Sequence, residues 1–123
     1  MGYSQNAAAA YAAIDPCLTT PGRAEALVFA KITRRMRAVF ADADGPFSEK
    51  VSALHDNRRL WQVVASCCMS DANMMAPELR ASLIGLAAFV DRHTSAVLRK
   101  KAEPEVLCEI NQRIAAGLSA GAR

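Results

Sequence analysis

The chain reads as an all-α protein, a compact bundle of four to five helices. Three observations predict this. Apolar residues recur at helical spacing from Leu27 to Leu118, and no apolar-polar alternation persists long enough for a strand. Much of the 52% hydrophobic fraction is alanine and only 6% is aromatic, which favours helix because alanine loses no side-chain entropy there. Prolines at 21, 46, 77 and 104 punctuate the pattern at the places where it restarts.

Each element follows from local signals. Residues 1–19 form a short helix, Tyr3 to Ile14, and a linker; Asp15-Pro16 ends that helix because a residue before proline avoids the helical region. Residues 20–118 form the helical domain. Thr20-Pro21 opens its first long helix with a cap and a proline at the first helical position. Leu27, Val28, Ile32, Met36, Val39 and Phe40 supply the buried face of that helix, with Lys31, Arg34, Arg35 and Arg37 mostly off it. Asp42 to Pro46 breaks it.

The next helix is expected to start at a Ser48 cap with Phe47 outside it as a staple. Its seam reads Val51, Leu54, Trp61, Val64 and Cys68, and Asn57 and Arg58 stand where an apolar residue is due. Ser70 to Asn73 is turn chemistry. Pro77 starts a helix with Leu79, Leu83, Leu86, Val90, His93 and Val97 at alternating four- and three-residue steps, a seam for antiparallel pairing across a short turn. Pro104 opens the last helix, with Val106, Leu107, Ile110, Ile114 and Leu118 on one face; Gly117 ends it, and residues 119–123 are a frayed tail.

Composition excludes several functions. One hundred and twenty-three residues make one domain, and a net charge of +3 is too small to define a polyanion binder. No apolar run approaches the ~20 residues that span a bilayer. No positive charge precedes the N-terminal apolar stretch, so no secretory signal is expected. Cys17, Cys67, Cys68 and Cys108 lack C-x-x-C spacing and read as reduced, mostly buried thiols of an intracellular protein. His55 and His93 form no metal motif, no glycine-rich phosphate loop exists, and no nucleophile sits beside a base. Neither an enzyme nor a cofactor or metal site is expected.

Three features stand out. Residues 23 to 40 hold five basic residues and one acidic, and Arg34, Arg35 and Arg37 could neutralise RNA phosphate, yet few aromatics interleave for base stacking; a solvated face is the plainer reading. Met69, Met74 and Met75 either fill gaps between helices or line an adaptable surface. The block His55 to Trp61 has three readings: a half-buried Trp61 with solvated arginines, a recognition patch, or Asn57 and Arg58 bonding across to a neighbouring element.

That block belongs to a longer pattern. Leu54-His55-x-Asn57-Arg58-Arg59-Leu60-Trp61 is followed by Asn73, then Pro77-Glu78-Leu79-Arg80-Ala81-x-Leu83-Ile84, Phe89-Val90, Arg92-His93-Thr94, Ile110-Asn111 and Gly117-Leu118, with Thr20-Pro21-Gly22-Arg23-Ala24-Glu25 upstream. In order and spacing, residues 20 to 118 resemble the FlaF family of flagellar biosynthesis regulators. Departures are Gly22, the Ala65 to Met69 segment, and Phe89 where the family often has Trp.

The resemblance implies a cytoplasmic helical protein without enzymatic activity. It further implies that the protein binds flagellin as a chaperone would and promotes flagellin translation and secretion, opposing an FlbT-like regulator. Alternatives are an RNA-contacting regulator of flagellin synthesis and an adaptor that binds only the FlbT-like protein. No direct nucleic-acid contact and no membrane partner are expected. The helices carrying Trp61 and Phe89 hold more large apolar residues than one seam consumes. Leu60, Val64, Ile84 and Phe89, beside Trp61 and flanked by Arg58, Arg59 and Arg92, are therefore the candidate partner-binding residues, expected to form one apolar strip.

Overall fold

The structure is a computed structural model that describes residues 23–70 and 75–121. Among the described residues there are four helices and no strand: α1 (Arg23–Ala41), α2 (Phe47–Met69), α3 (Pro77–Leu98) and α4 (Glu105–Gly121). The predicted Tyr3–Ile14 helix, the Thr20-Pro21 cap and Asp71 to Met74 lie outside the described residues. None of the four helices is long and apolar enough to cross a membrane.

The helices pack as two main pairs, α1 with α4 and α2 with α3, and α1 joins the pairs by packing on α2; α3 and α4 touch little. One cluster fills the centre: Phe29 and Met36 from α1, Ala53, Leu54, Trp61 and Cys68 from α2, Leu83, Val90 and Val97 from α3, Leu107 and Cys108 from α4. Phe29 meets Trp61 edge to face, ring centroids 5.6 Å apart.

The expected α2–α3 seam holds at Leu54, Trp61, Leu83 and Val90, which are buried, and at Leu86, which packs against the core. Its ends differ. Leu79 is 48% exposed. Val51 is exposed too. Thr94, rather than His93, occupies the core position; its hydroxyl donates to the Val90 carbonyl at 2.6 Å, so no polar atom is stranded. His93 lies at the edge, stacked on Phe89, with Nε2 2.8 Å from the Glu103 carbonyl oxygen.

The buried face of α1 holds at Met36, with Ile32, Val39 and Phe40 packed against the core, but differs from the expected one in the first turns. Ala26, Phe29, Thr33 and Met36 are inside, whereas Leu27 and Val28 are exposed at 66% and 47%. The steps of three, four and three describe one clean helical stripe, and its small members allow close approach of the neighbouring helices. Thr33 is accommodated as Thr94 is, donating to the Phe29 carbonyl at 2.7 Å. In α4, Val106 is exposed and the stripe runs through Leu107, Cys108 and Asn111.

Several termini correct the sequence reading. Helix α2 begins at Phe47 with Pro46 as its cap residue and no side-chain cap bond, so Ser48 sits within the first turn. Helix α4 runs through Gly117 to Gly121, so residues 119–121 of the expected tail are helical. A glycine in an exposed helix interior weakens a helix without stopping it. Arg99 caps α3, and Lys100 and Lys101 lie just beyond.

Helix α3 closes with reciprocal bonds, Lys101 N–H to the Ala96 carbonyl (2.8 Å) and Lys100 N–H to the Val97 carbonyl (2.9 Å). The turn places Lys100 at φ 60°, the left-handed region that favours glycine. Lys100→Gly is therefore expected to stabilise the fold by about 1 kcal/mol, read as a rise in urea midpoint at constant m value. The lost contact of its ammonium with the Phe47 ring, 5.7 Å to the centroid, trims the gain.

The cysteines divide. Cys68 and Cys108 are free and buried, as expected of reduced thiols, but Cys67 is disulfide-bonded, which corrects that expectation at this position. Burial pushes the thiols of Cys68 and Cys108 up. Because the folded values lie above the unfolded ones, their stabilisation is complete below the ordinary thiol range, about 8.5, and is lost as pH rises through the folded values. Urea unfolding at pH 7 and pH 10 is expected to show lower stability at the higher pH, and a smaller drop in Cys68→Ala and Cys108→Ala.

Candidate partner-binding site

The interruption of the α2 seam at Asn57 and Arg58 is where the polar organisation of the bundle begins. Asn57 is fully buried and bonds across to α4: Asn111 Nδ2 donates to Asn57 Oδ1 at 2.7 Å. Trp61 Nε1 donates to Asn111 Oδ1 at 2.8 Å. An indole N–H can only donate, so it fixes the orientation of the Asn111 amide, which in turn makes Asn57 accept through its oxygen. Asn57 Nδ2 is left buried without a partner.

Arg58 points the other way, to α3. Its Nη2 donates to the Asp91 carbonyl and to Ser95 Oγ, both at 2.7 Å. Its Nε lies 2.9 Å from Asp91 Oδ1, an ion-pair distance at an angle that makes no hydrogen bond. The reading in which these two residues bond to neighbouring elements is thus the one observed.

Between α2 and α3 an apolar groove of about 370 Å³ opens. Trp61 and Val90 form its floor side, Ala65, Ala87, Ala88 and Ile84 its walls; Arg58 and Asp91 stand at one end and Met69, 62% exposed, at the other. The alanines make the groove: each small side chain leaves room that a leucine would fill.

The candidate residues do not form one strip. Arg58, Trp61 and Ile84 come together in the groove. Leu60 and Val64 follow Asp56 at four-residue steps, so they share its flank of α2. That flank faces α1, because Arg35 of α1 pairs with Asp56 and bonds Ser52 Oγ at 3.0 Å. Both pack against the core. Phe89 lies on the far flank of α3 against His93, and successive residues point about 100° apart, which separates it from Ala88 and Ile84. Arg59 and Arg92 are exposed and line no part of the groove. Sequence periodicity identified residues beside the seam but could not say on which side of it each falls.

Arg80 was missed as more than a motif position. Its guanidinium donates from Nε to the Cys68 carbonyl (2.8 Å) and from Nη2 to the Ser70 carbonyl (2.9 Å), closing the C-terminal end of α2 from α3. Arg80→Met is expected to cost about 2 kcal/mol in chemical denaturation, the scale of charged hydrogen bonds lost at a half-buried helix end.

The basic run of α1 is largely tied down. Arg35 is paired with Asp56, and Arg37 bonds Glu105 Oε2 (2.6 Å) and Gln112 Oε1 (3.2 Å) of α4. The Glu105 bond raises the Arg37 pKa further. With Met36 buried between them, the two arginines clamp α1 to α2 on one side and α4 on the other.

Among the described residues, no group of three or more His, Cys, Asp or Glu side chains is placed to hold a metal ion. No curated protein and no solved structure matches the chain. The helical order, the Asn57–Arg58–Trp61 constellation and the α2–α3 hairpin sit within a segment, residues 7–118, that matches the model of the flagellar protein FlaF family, and the chain belongs to that family.

Proposed function

We propose that this protein is a flagellar biogenesis regulator that binds flagellin in the cytoplasm in a chaperone-like way, promotes its translation and secretion, and opposes an FlbT-like regulator, without enzymatic activity. Family membership supports the flagellar role. The observation that carries the step to protein binding is the apolar groove between α2 and α3. Flagellin's terminal segments are amphipathic and disordered before assembly, and an apolar groove between helices covers such a segment by taking its apolar face.

The alternative, an RNA-contacting regulator, draws on the α1 arginines. Two of the three are already engaged with Asp56 and Glu105, which favours the protein-binding reading.

Purified flagellin alone, titrated with the full chain at about 50 and 200 mM salt, tests the proposal. A flagellin complex little weakened by salt is expected, whereas an RNA complex with several phosphate contacts loses orders of magnitude over that range. If flagellin alone does not bind and an FlbT-like regulator does, the adaptor reading replaces this one.

A further inference from the structure

We infer that the α2–α3 groove selects an amphipathic helix that carries large aliphatic side chains on one face and a basic residue at the end that reaches Asp91. This deepens the proposed function, because it rests on a protein segment being the occupant and names the chemistry of that segment.

The shape comes first. The groove runs from Arg58 to Met69 along α2, about 16 Å or three helical turns. Its walls are largely alanine, so it offers space rather than bulk, and the complementary surface presents large side chains at one per turn. Trp61 and Val90 below are already buried, so the floor is fixed and the groove exists before anything enters it.

The charge decides the polarity. Among the described residues, Asp91 and Arg58 are the only ionisable ones lining the groove. Arg58 is spent: Nη2 serves the Asp91 carbonyl and Ser95, and Nε faces Asp91 Oδ1. Its side chain is 23% exposed against 61% for Asp91. The Asp91 carboxylate therefore owes most of its solvation to water, with one guanidinium contact at a poor angle. Arg58 pairs the inner side of that carboxylate, and a helix laid over the groove takes the water from its exposed outer side, which is costly unless the helix replaces it. A lysine or arginine on the incoming helix replaces that water at the exposed oxygen; a glutamate there meets the carboxylate as a like charge.

The chain contains a single tryptophan, and Trp61 lines the groove, so its emission reports occupancy. Two designed 18-residue helical peptides serve as probes. Both carry leucines at i, i+3, i+7 and i+10, and they differ only in lysine or glutamate at the end aligned with Asp91. The lysine peptide is expected to change Trp61 emission and to bind the full chain about tenfold more tightly than the glutamate peptide. Asp91→Asn, checked for an unchanged circular-dichroism spectrum and melting curve, is expected to remove that preference while leucine-dependent binding remains. Ala88→Glu, at an exposed wall position, is expected to abolish both.

Equal affinity of the two peptides for the wild-type chain overturns the charge assignment. Binding that survives Ala88→Glu overturns the groove. Flagellin separates the two readings: if it binds wild-type and Ala88→Glu chains alike, the groove inference fails and the proposed function stands. If it does not bind while the lysine peptide does, the groove chemistry stands and the flagellin reading fails.

Discussion

Asn111→Leu is expected to destabilise the protein by about 4 kcal/mol, more than its mild change of volume suggests. Leucine fills the same space but removes both an acceptor and a donor. Trp61 Nε1 and Asn57 Oδ1 then stay buried with no partner, at about 1–3 kcal/mol each. Asn57→Leu provides the contrast. It strands only Asn111 Nδ2, and it deletes Asn57 Nδ2, which is already unpaired. Its cost is expected near 1–2 kcal/mol, at the low end for one orphaned group. Urea denaturation followed by circular dichroism at 222 nm gives both values. If Asn57→Leu proves the more damaging of the two, the order of donors and acceptors described above is wrong.

Trp61→Ala is expected to cost about 3–5 kcal/mol, the range for deleting a large aromatic from a packed core. The residue is 1% exposed, touches Phe29 edge to face and anchors the Asn111 bond, so truncation opens a cavity and strands the Asn111 oxygen together. Against the 5–15 kcal/mol typical of a small domain, this brings the chain close to unfolding. Trp61→Phe separates the two contributions. It retains most of the apolar contact and loses only the N–H, for about 1–3 kcal/mol. In a double-mutant cycle, Trp61→Phe and Asn111→Leu are expected to be less than additive, because the second change removes a group the first has already orphaned. Circular dichroism is the readout, since these variants lack the only tryptophan.

Both predictions fall on residues that the sequence marks unevenly. Asn57 and Arg58 could be singled out because they break an otherwise apolar seam. A polar residue at a buried step must bond to something, so bonding across to a neighbouring element is one of the three readings the pattern allows, and it is the one the structure selects. Asn111 carries no such mark. It is one polar residue on a helix with other polar neighbours, and its partners lie 50 and 54 positions away in the chain. Arg80 and Arg37 were legible as charges but not as ties, for the same reason.

What local chemistry settled, among the described residues, was the type and approximate limits of the four helices and the pairing of α2 with α3. Proline position, apolar period and a short connection act between near neighbours, so they can be read one stretch at a time. What only the tertiary structure decided was the exact rotation of each helix, and above all the face that the first turns of α1 bury. The first turns of α1 offer two overlapping apolar choices, and hydrophobicity is non-directional, so the period alone admits Leu27 and Val28 as readily as Ala26 and Phe29. The stripe that won is Ala26, Phe29, Thr33 and Met36. It sets Phe29 against Trp61 and lets Arg35 and Arg37 reach acids on both sides at once. The groove was decided in the same way. Ile84 and Phe89 look equivalent along the sequence, but the rotation of α3 that buries Val90 sends them to opposite flanks, Ile84 to the groove and Phe89 against His93.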